Sequence, residues 1–127
     1  MRRYFWLSLW LIGILFPMAW LGRLSARYQQ VFDAIFTPGW VHVSMHLVLY
    51  AGLMILLATV LDRSITRQTL IRYLFGVLVV GFLQEGFQLF SAVQVFGWNT
   101  IFDLGIDLIG ALIGFALAQA RSVLMTK

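Results

Sequence analysis

Cysteine is absent from this chain of 127 residues, and charged residues make up only 11% of it. The absence of cysteine excludes disulfides, thiolate metal ligands and cysteine nucleophiles. A soluble domain carries about 25% charged residues, so this chain lacks the polar surface that a small water-soluble fold exposes. Acidic residues number only five, and any of them inside an apolar segment therefore needs an explanation.

Hydrophobic residues fill 61% of the chain and concentrate in segments of the length that a membrane-spanning helix needs, about 20 residues. The sequence predicts an all-α fold, a four-helix transmembrane bundle in a single domain. The predicted spans are Tyr4–Leu21, Val41–Leu61, Tyr73–Phe90 and Ile101–Ala118. The first segment also has the start of a signal peptide, but no small-residue cleavage site follows it, so we expect a retained helix.

Basic residues indicate the orientation of the bundle. All but two of the nine lie before the first span, between the second and third, or after the fourth: Arg2, Arg3, Arg63, Arg67, Arg72, Arg121 and Lys127. Arg23 and Arg27 lie on the other side. Because basic loops stay in the cytoplasm, the sequence predicts an N-in/C-in topology, with Trp20, Trp40 and Trp98 near the outer ends. These residues form no continuous basic patch, so we expect no nucleic-acid partner.

Polar residues follow one face of each of three predicted spans. The stripes are His42, His46 and Tyr50, then Glu85 and Gln88, then Asp103, Asp107, Gly110 and Gly114. Ionisable groups inside a span cost about 2.5–3.5 kcal/mol each on insertion scales. With about 1.5 Å per residue, His46, Glu85 and Asp107 should all lie roughly 7–9 Å below the outer boundary. The sequence therefore predicts a polar pocket near the outer face, with the two glycines packing helices together.

The motifs His46-x3-Tyr50, Glu85-x2-Gln88 and Asp103-x3-Asp107-x2-Gly110-x3-Gly114 resemble those of the VanZ-like family of small bacterial membrane proteins. The resemblance covers the second to fourth spans. Asp107 stands where that family usually has Asn, and residues 95–99 lack an arginine that is common there. The resemblance implies a multi-pass protein of the bacterial inner membrane, in a family linked to resistance to the glycopeptide teicoplanin.

These observations favour an envelope protein that binds an amphiphile, a lipid head group or a cell-wall precursor in a pocket formed by His46, Tyr50, Glu85, Gln88, Asp103 and Asp107. Membrane lipids are the expected partners, and a homo-oligomer is compatible with the glycine stripe. Alternatives are a membrane-embedded hydrolase or transferase using His46 and Glu85, a proton-coupled transporter subunit, and a scaffold whose polar groups fix helix register. A divalent metal on His42, His46 and the carboxylates is a weaker alternative, and the leading hypothesis requires no metal or cofactor.

Overall fold

The computed structural model describes residues 2–16, 21, 24–36, 38–61, 66–92 and 97–125, and these residues contain five α-helices. They are α1 (Arg2–Leu15), α2 (Ala26–Phe36), α3 (Gly39–Leu61), α4 (Arg67–Ala92) and α5 (Trp98–Met125). The all-α prediction is confirmed. Trp20, Arg23, Arg63 and Lys127, which entered the predictions above, lie outside the described residues.

Local sequence explains where α2 and α4 begin. The Ser25 hydroxyl accepts a hydrogen bond from the Tyr28 amide (3.3 Å) at the start of α2. The Thr66 hydroxyl accepts one from the Thr69 amide (3.3 Å) at the start of α4. Both are the usual N-cap arrangement, in which a short side chain satisfies a free amide of the first turn.

Among the described residues, three helices are long and apolar enough to cross a membrane, within Gly39–Val60, Arg67–Phe90 and Trp98–Arg121. Large apolar side chains cover their outer surfaces, including Phe75, Phe82, Ile109 and Leu117, as expected where lipid is the solvent. Helices α4 and α5 extend beyond their predicted spans at both ends. Helix α1 has 14 residues, fewer than a spanning helix needs, and residues 17–20 of the predicted first span lie outside the described part.

Hydrogen bonds between helices fix their directions. Arg3 donates to the Thr59 carbonyl (3.2 Å) and the Trp10 indole donates to the Leu49 carbonyl (2.8 Å), so α1 runs antiparallel to α3. Helix α4 follows α3 after a short connection and also runs antiparallel to it. Helices α3 and α5 are parallel and make the most extensive contact in the described fold.

Glycine permits this close approach of α3 and α5. A Cβ atom on Gly110 would lie 2.7 Å from the Leu47 carbonyl oxygen, and one on Gly114 would overlap the backbone of Ala51. The glycine stripe therefore packs against α3 of the same chain, as small residues do between membrane helices. Below this region the core is apolar, with Leu53, Met54, Val77 and Ala111 among its buried members.

Arg3, Arg67 and Arg121 lie toward the same end of the bundle. The hydrogen bond from Arg3 to Thr59 marks one end, and α4 begins there with Arg67. Because α3 and α5 are parallel, Arg121 lies near the same level as Thr59. The first residues of α3 and α5 and the last residues of α4 form the opposite end.

Candidate functional site

Every buried polar or charged residue in the described part of the chain belongs to one cluster, at the end opposite Arg3 and Arg67. Its members are His46, Gln84, Glu85, Thr100, Asp103 and Asp107. They come from the first half of α3, the last third of α4 and the first half of α5. Since buried polar groups are costly in an apolar medium unless they are paired, their concentration in one place requires specific contacts.

Two histidine–aspartate pairs connect α3 with α5. His42 Nε2 lies 2.9 Å from Asp103 Oδ1, and His46 Nδ1 lies 2.7 Å from Asp107 Oδ1. In each pair an imidazole N–H donates to the carboxylate. Each histidine is 61 residues before its partner, and the four-residue spacing within both helices stacks one pair above the other.

The outer pair, His42 with Asp103, is more exposed than the inner pair, His46 with Asp107. The side chain of His42 is 42% exposed and that of Asp103 10%, whereas those of His46 and Asp107 are 4% and 1% exposed. The ring centroids of His42 and His46 are 4.5 Å apart. The outer pair is therefore the accessible entrance to a polar column that continues into the bundle.

Tyr50 forms the inner end of this column. Its hydroxyl donates to Gln84 Oε1 on α4 at 2.7 Å, and both side chains are buried. Gly81 makes room beside it, since a Cβ there would lie 2.9 Å from Asp107 Oδ2. Helix α4 thus approaches the inner pair closely enough to seal it from the surroundings.

Glu85 adds a third carboxyl group to the cluster. It interacts electrostatically with Asp103, His46 and Asp107, and it also contacts the Thr100 hydroxyl. Among the described residues, Glu85 Oε1 and Asp107 Oδ2 are buried without a hydrogen-bond partner. Both acceptors are therefore unsatisfied in the described fold.

The cluster has no permanent positive charge from its own helices. Residues 39–61, 73–92 and 98–120 contain neither lysine nor arginine. Three carboxyl groups are therefore balanced only by two imidazoles. Negative charge without a full counter-charge has a high free-energy cost in a low-dielectric region. A bound cation or a protonated histidine would relieve it.

The structure brings together most of the residues that the sequence predicted for the pocket. His46, Tyr50, Glu85, Asp103 and Asp107 all lie in the cluster, and Gln88 is one helical turn from Glu85 on α4. Sequence reasoning missed Gln84, which is the hydrogen-bond partner of Tyr50. It also left His42 out of the predicted pocket, although His42 pairs with Asp103.

Comparisons of the chain with models of known protein families, with curated proteins and with solved structures find no significant match. The fold and the cluster therefore define the class: a helical protein with three helices able to span a membrane and a paired histidine–carboxylate site between them. The resemblance to VanZ-like proteins stays a prediction.

Proposed function

We propose that this protein crosses the bacterial inner membrane four times in the N-in/C-in orientation and binds the polar head group of a lipid or other amphiphile at its outer face. The histidine–carboxylate cluster is the binding site in this proposal. The VanZ-like motifs support a role in the cell envelope, and the teicoplanin resistance linked to that family is the phenotype to examine first.

The division of charge between the two ends supports this orientation. Arg3, Arg67 and Arg121 lie at the end where α1 begins and α3 finishes, and the positive-inside rule assigns such an end to the cytoplasm. The cluster then belongs to the outer half of the membrane. Trp40 and Trp98 are strongly exposed at that end, where indole rings favour the membrane interface.

The observation that carries the proposal is the gradient of exposure along the stacked pairs. A cluster that only fixed helix register would be closed at both ends, whereas this one opens through His42 and ends internally at Tyr50. Counting from the start of α3 at about 1.5 Å per residue, His42 lies roughly 5 Å and His46 roughly 10 Å deep. This range matches the depth of lipid head groups and the adjoining interface.

The test compares wild-type protein with Glu85→Gln, which keeps the shape of the side chain and removes its charge. Both are purified in detergent, and thermal unfolding is measured with added short-chain phosphatidylglycerol or phosphatidylethanolamine. A bound head group raises the unfolding temperature of the wild type in proportion to occupancy, and the variant shows a smaller increase. Equal increases in both proteins would refute binding at this cluster.

Asp33→Asn is the matched control because Asp33 is an acidic residue of α2, exposed and outside the cluster. In cells, Glu85→Gln and His46→Ala should change susceptibility to teicoplanin while Asp33→Asn does not, provided that all proteins accumulate equally in the membrane. A phenotype that follows only the amount of protein would indicate a packing role for the cluster.

A membrane-embedded hydrolase or transferase is the second candidate, favoured by one contact. The 2.7 Å bond between His46 and Asp107 has the form of a general base held in orientation by a carboxylate. Asp107→Asn should then abolish turnover of a membrane substrate while preserving head-group binding. Loss of both together would remove the reason to separate catalysis from binding.

A further inference from the structure

We propose that His42, His46 and Asp103 bind one divalent transition-metal ion, with zinc as the best fit. One ligand atom from each of these three side chains lies within 4.8 Å of the others. Two imidazoles and a carboxylate are a ligand set that zinc favours, and three protein ligands leave one position of a tetrahedral ion open. The two histidines occupy adjacent turns of α3, the spacing at which one helix supplies two ligands to one ion.

The distances require only side-chain movement. Around a tetrahedral zinc ion with ligand bonds of about 2.0–2.1 Å, neighbouring ligand atoms are about 3.3 Å apart. His42 Nε2 and Asp103 Oδ1 are already 2.9 Å apart. Rotation of the half-exposed His42 ring would open the outer pair to admit the ion, without displacement of either helix.

Asp107 prepares His46 for this role. Because His46 Nδ1–H donates to Asp107 Oδ1 at 2.7 Å, Nε2 is the nitrogen free to bind an ion. A carboxylate behind a ligating histidine fixes the tautomer and the ring orientation, and this second contact is a regular feature of zinc sites. Asp107 is fully buried, so it acts through His46 as a positioning residue.

Glu85 gives independent support for a positively charged ligand. As a residue it is 6% exposed, its Oε1 has no hydrogen-bond partner among the described residues, and it interacts electrostatically with Asp103 and His46. Since the segments of α3, α4 and α5 that form the cluster have no lysine or arginine, an ion would neutralise charge that these segments leave uncompensated. An ion-bound water would also satisfy the free acceptor.

This inference deepens the proposed function and rests on it for its meaning in the cell. An ion with an open position supplies the positive charge with which a carboxylate-rich site can hold an anionic oxygen of a head group. Binding of the ion itself requires no amphiphile. The two proposals therefore fail separately: ion binding is measured in detergent alone, and head-group binding by the stability assay above.

The experiment titrates Co²⁺ into full-length protein that carries a purification tag without histidine. The chain has two histidines and no cysteine, so a visible Co²⁺ band shows nitrogen and oxygen ligation at this cluster. We expect saturation near one ion per chain, displacement by Zn²⁺, and the same stoichiometry of zinc by elemental analysis. No saturable binding by folded wild-type protein would overturn the proposal.

Variants locate the ion. His42→Ala removes a half-exposed ligand, and Asp103→Asn keeps the side-chain shape while removing the anionic ligand; both should eliminate saturable binding without loss of helical circular dichroism. Asp107→Asn should weaken binding by about 10–100-fold, as the loss of an outer contact does in other zinc sites. Asp33→Asn should leave it unchanged. Unaltered affinity in both His42→Ala and Asp103→Asn would also overturn the assignment.

Discussion

Gly110 allows a direct test of how the site is held together. A Cβ at this position would lie 2.7 Å from the Leu47 carbonyl oxygen and 3.0 Å from Leu47 Cα, whereas ordinary contact begins at 3.4 Å. The obstructing atoms belong to backbone and cannot rotate away. In Gly110→Ala, α3 and α5 must therefore separate by about 0.7 Å at this point, and overpacking of this kind costs about 1–3 kcal/mol.

Gly105→Ala is the matched control on the same helix, because nothing lies within 4 Å of a Cβ there. Both substitutions gain the same intrinsic helix propensity, about 1 kcal/mol at most, so this gain cancels between them. Reversible unfolding by sodium dodecyl sulfate in mixed micelles should give Gly110→Ala a free energy of unfolding about 1–3 kcal/mol below that of Gly105→Ala. Equal stabilities would show that the two helices do not depend on this close approach.

The polar contacts give three further predictions in the same unfolding assay. His46→Ala leaves the Asp107 carboxylate buried without its partner and should lower the free energy of unfolding by about 3–5 kcal/mol. The double variant with Asp107→Asn should recover part of this stability, and no recovery would contradict the pairing. Tyr50→Phe leaves Gln84 Oε1 unsatisfied and should cost about 1–3 kcal/mol, whereas a change within error would mean that the bond contributes nothing. Trp10→Phe removes the indole hydrogen bond to α3 and should cost about 0.5–1.5 kcal/mol; an unchanged midpoint would exclude a role for it in attaching α1.

The sequence was sufficient to predict an all-α fold and the depth along the helices at which the polar groups lie. Apolar length identified α3, α4 and α5, and residue counting from their ends placed His46, Glu85 and Asp107 at one depth. Helix boundaries were less well predicted, because polar residues such as Arg67 continue a helix beyond the apolar segment as readily as they end it.

The position of α4 along its neighbours was beyond sequence reasoning. Gln84 and Gln88 lie on the same face of α4, and no pattern decides which of them meets Tyr50. A signal for the outer pair was present, since His42 and His46 repeat with the same interval as Asp103 and Asp107. Two equal intervals on parallel helices predict two stacked contacts, and this comparison would have added His42 to the site.

The shared four-residue repeat of the polar groups would by itself allow two positions of α5 along α3. If α5 slid inward by four residues, about 6 Å, Asp103 would come level with His46 and Asp107 level with Tyr50. Gly110 would then meet Ala51, the present neighbour of Gly114. Ile106 would, however, replace Gly110 against the Leu47 backbone, where there is no room for a Cβ atom. Gly110 therefore excludes the second position, which the polar groups alone would allow.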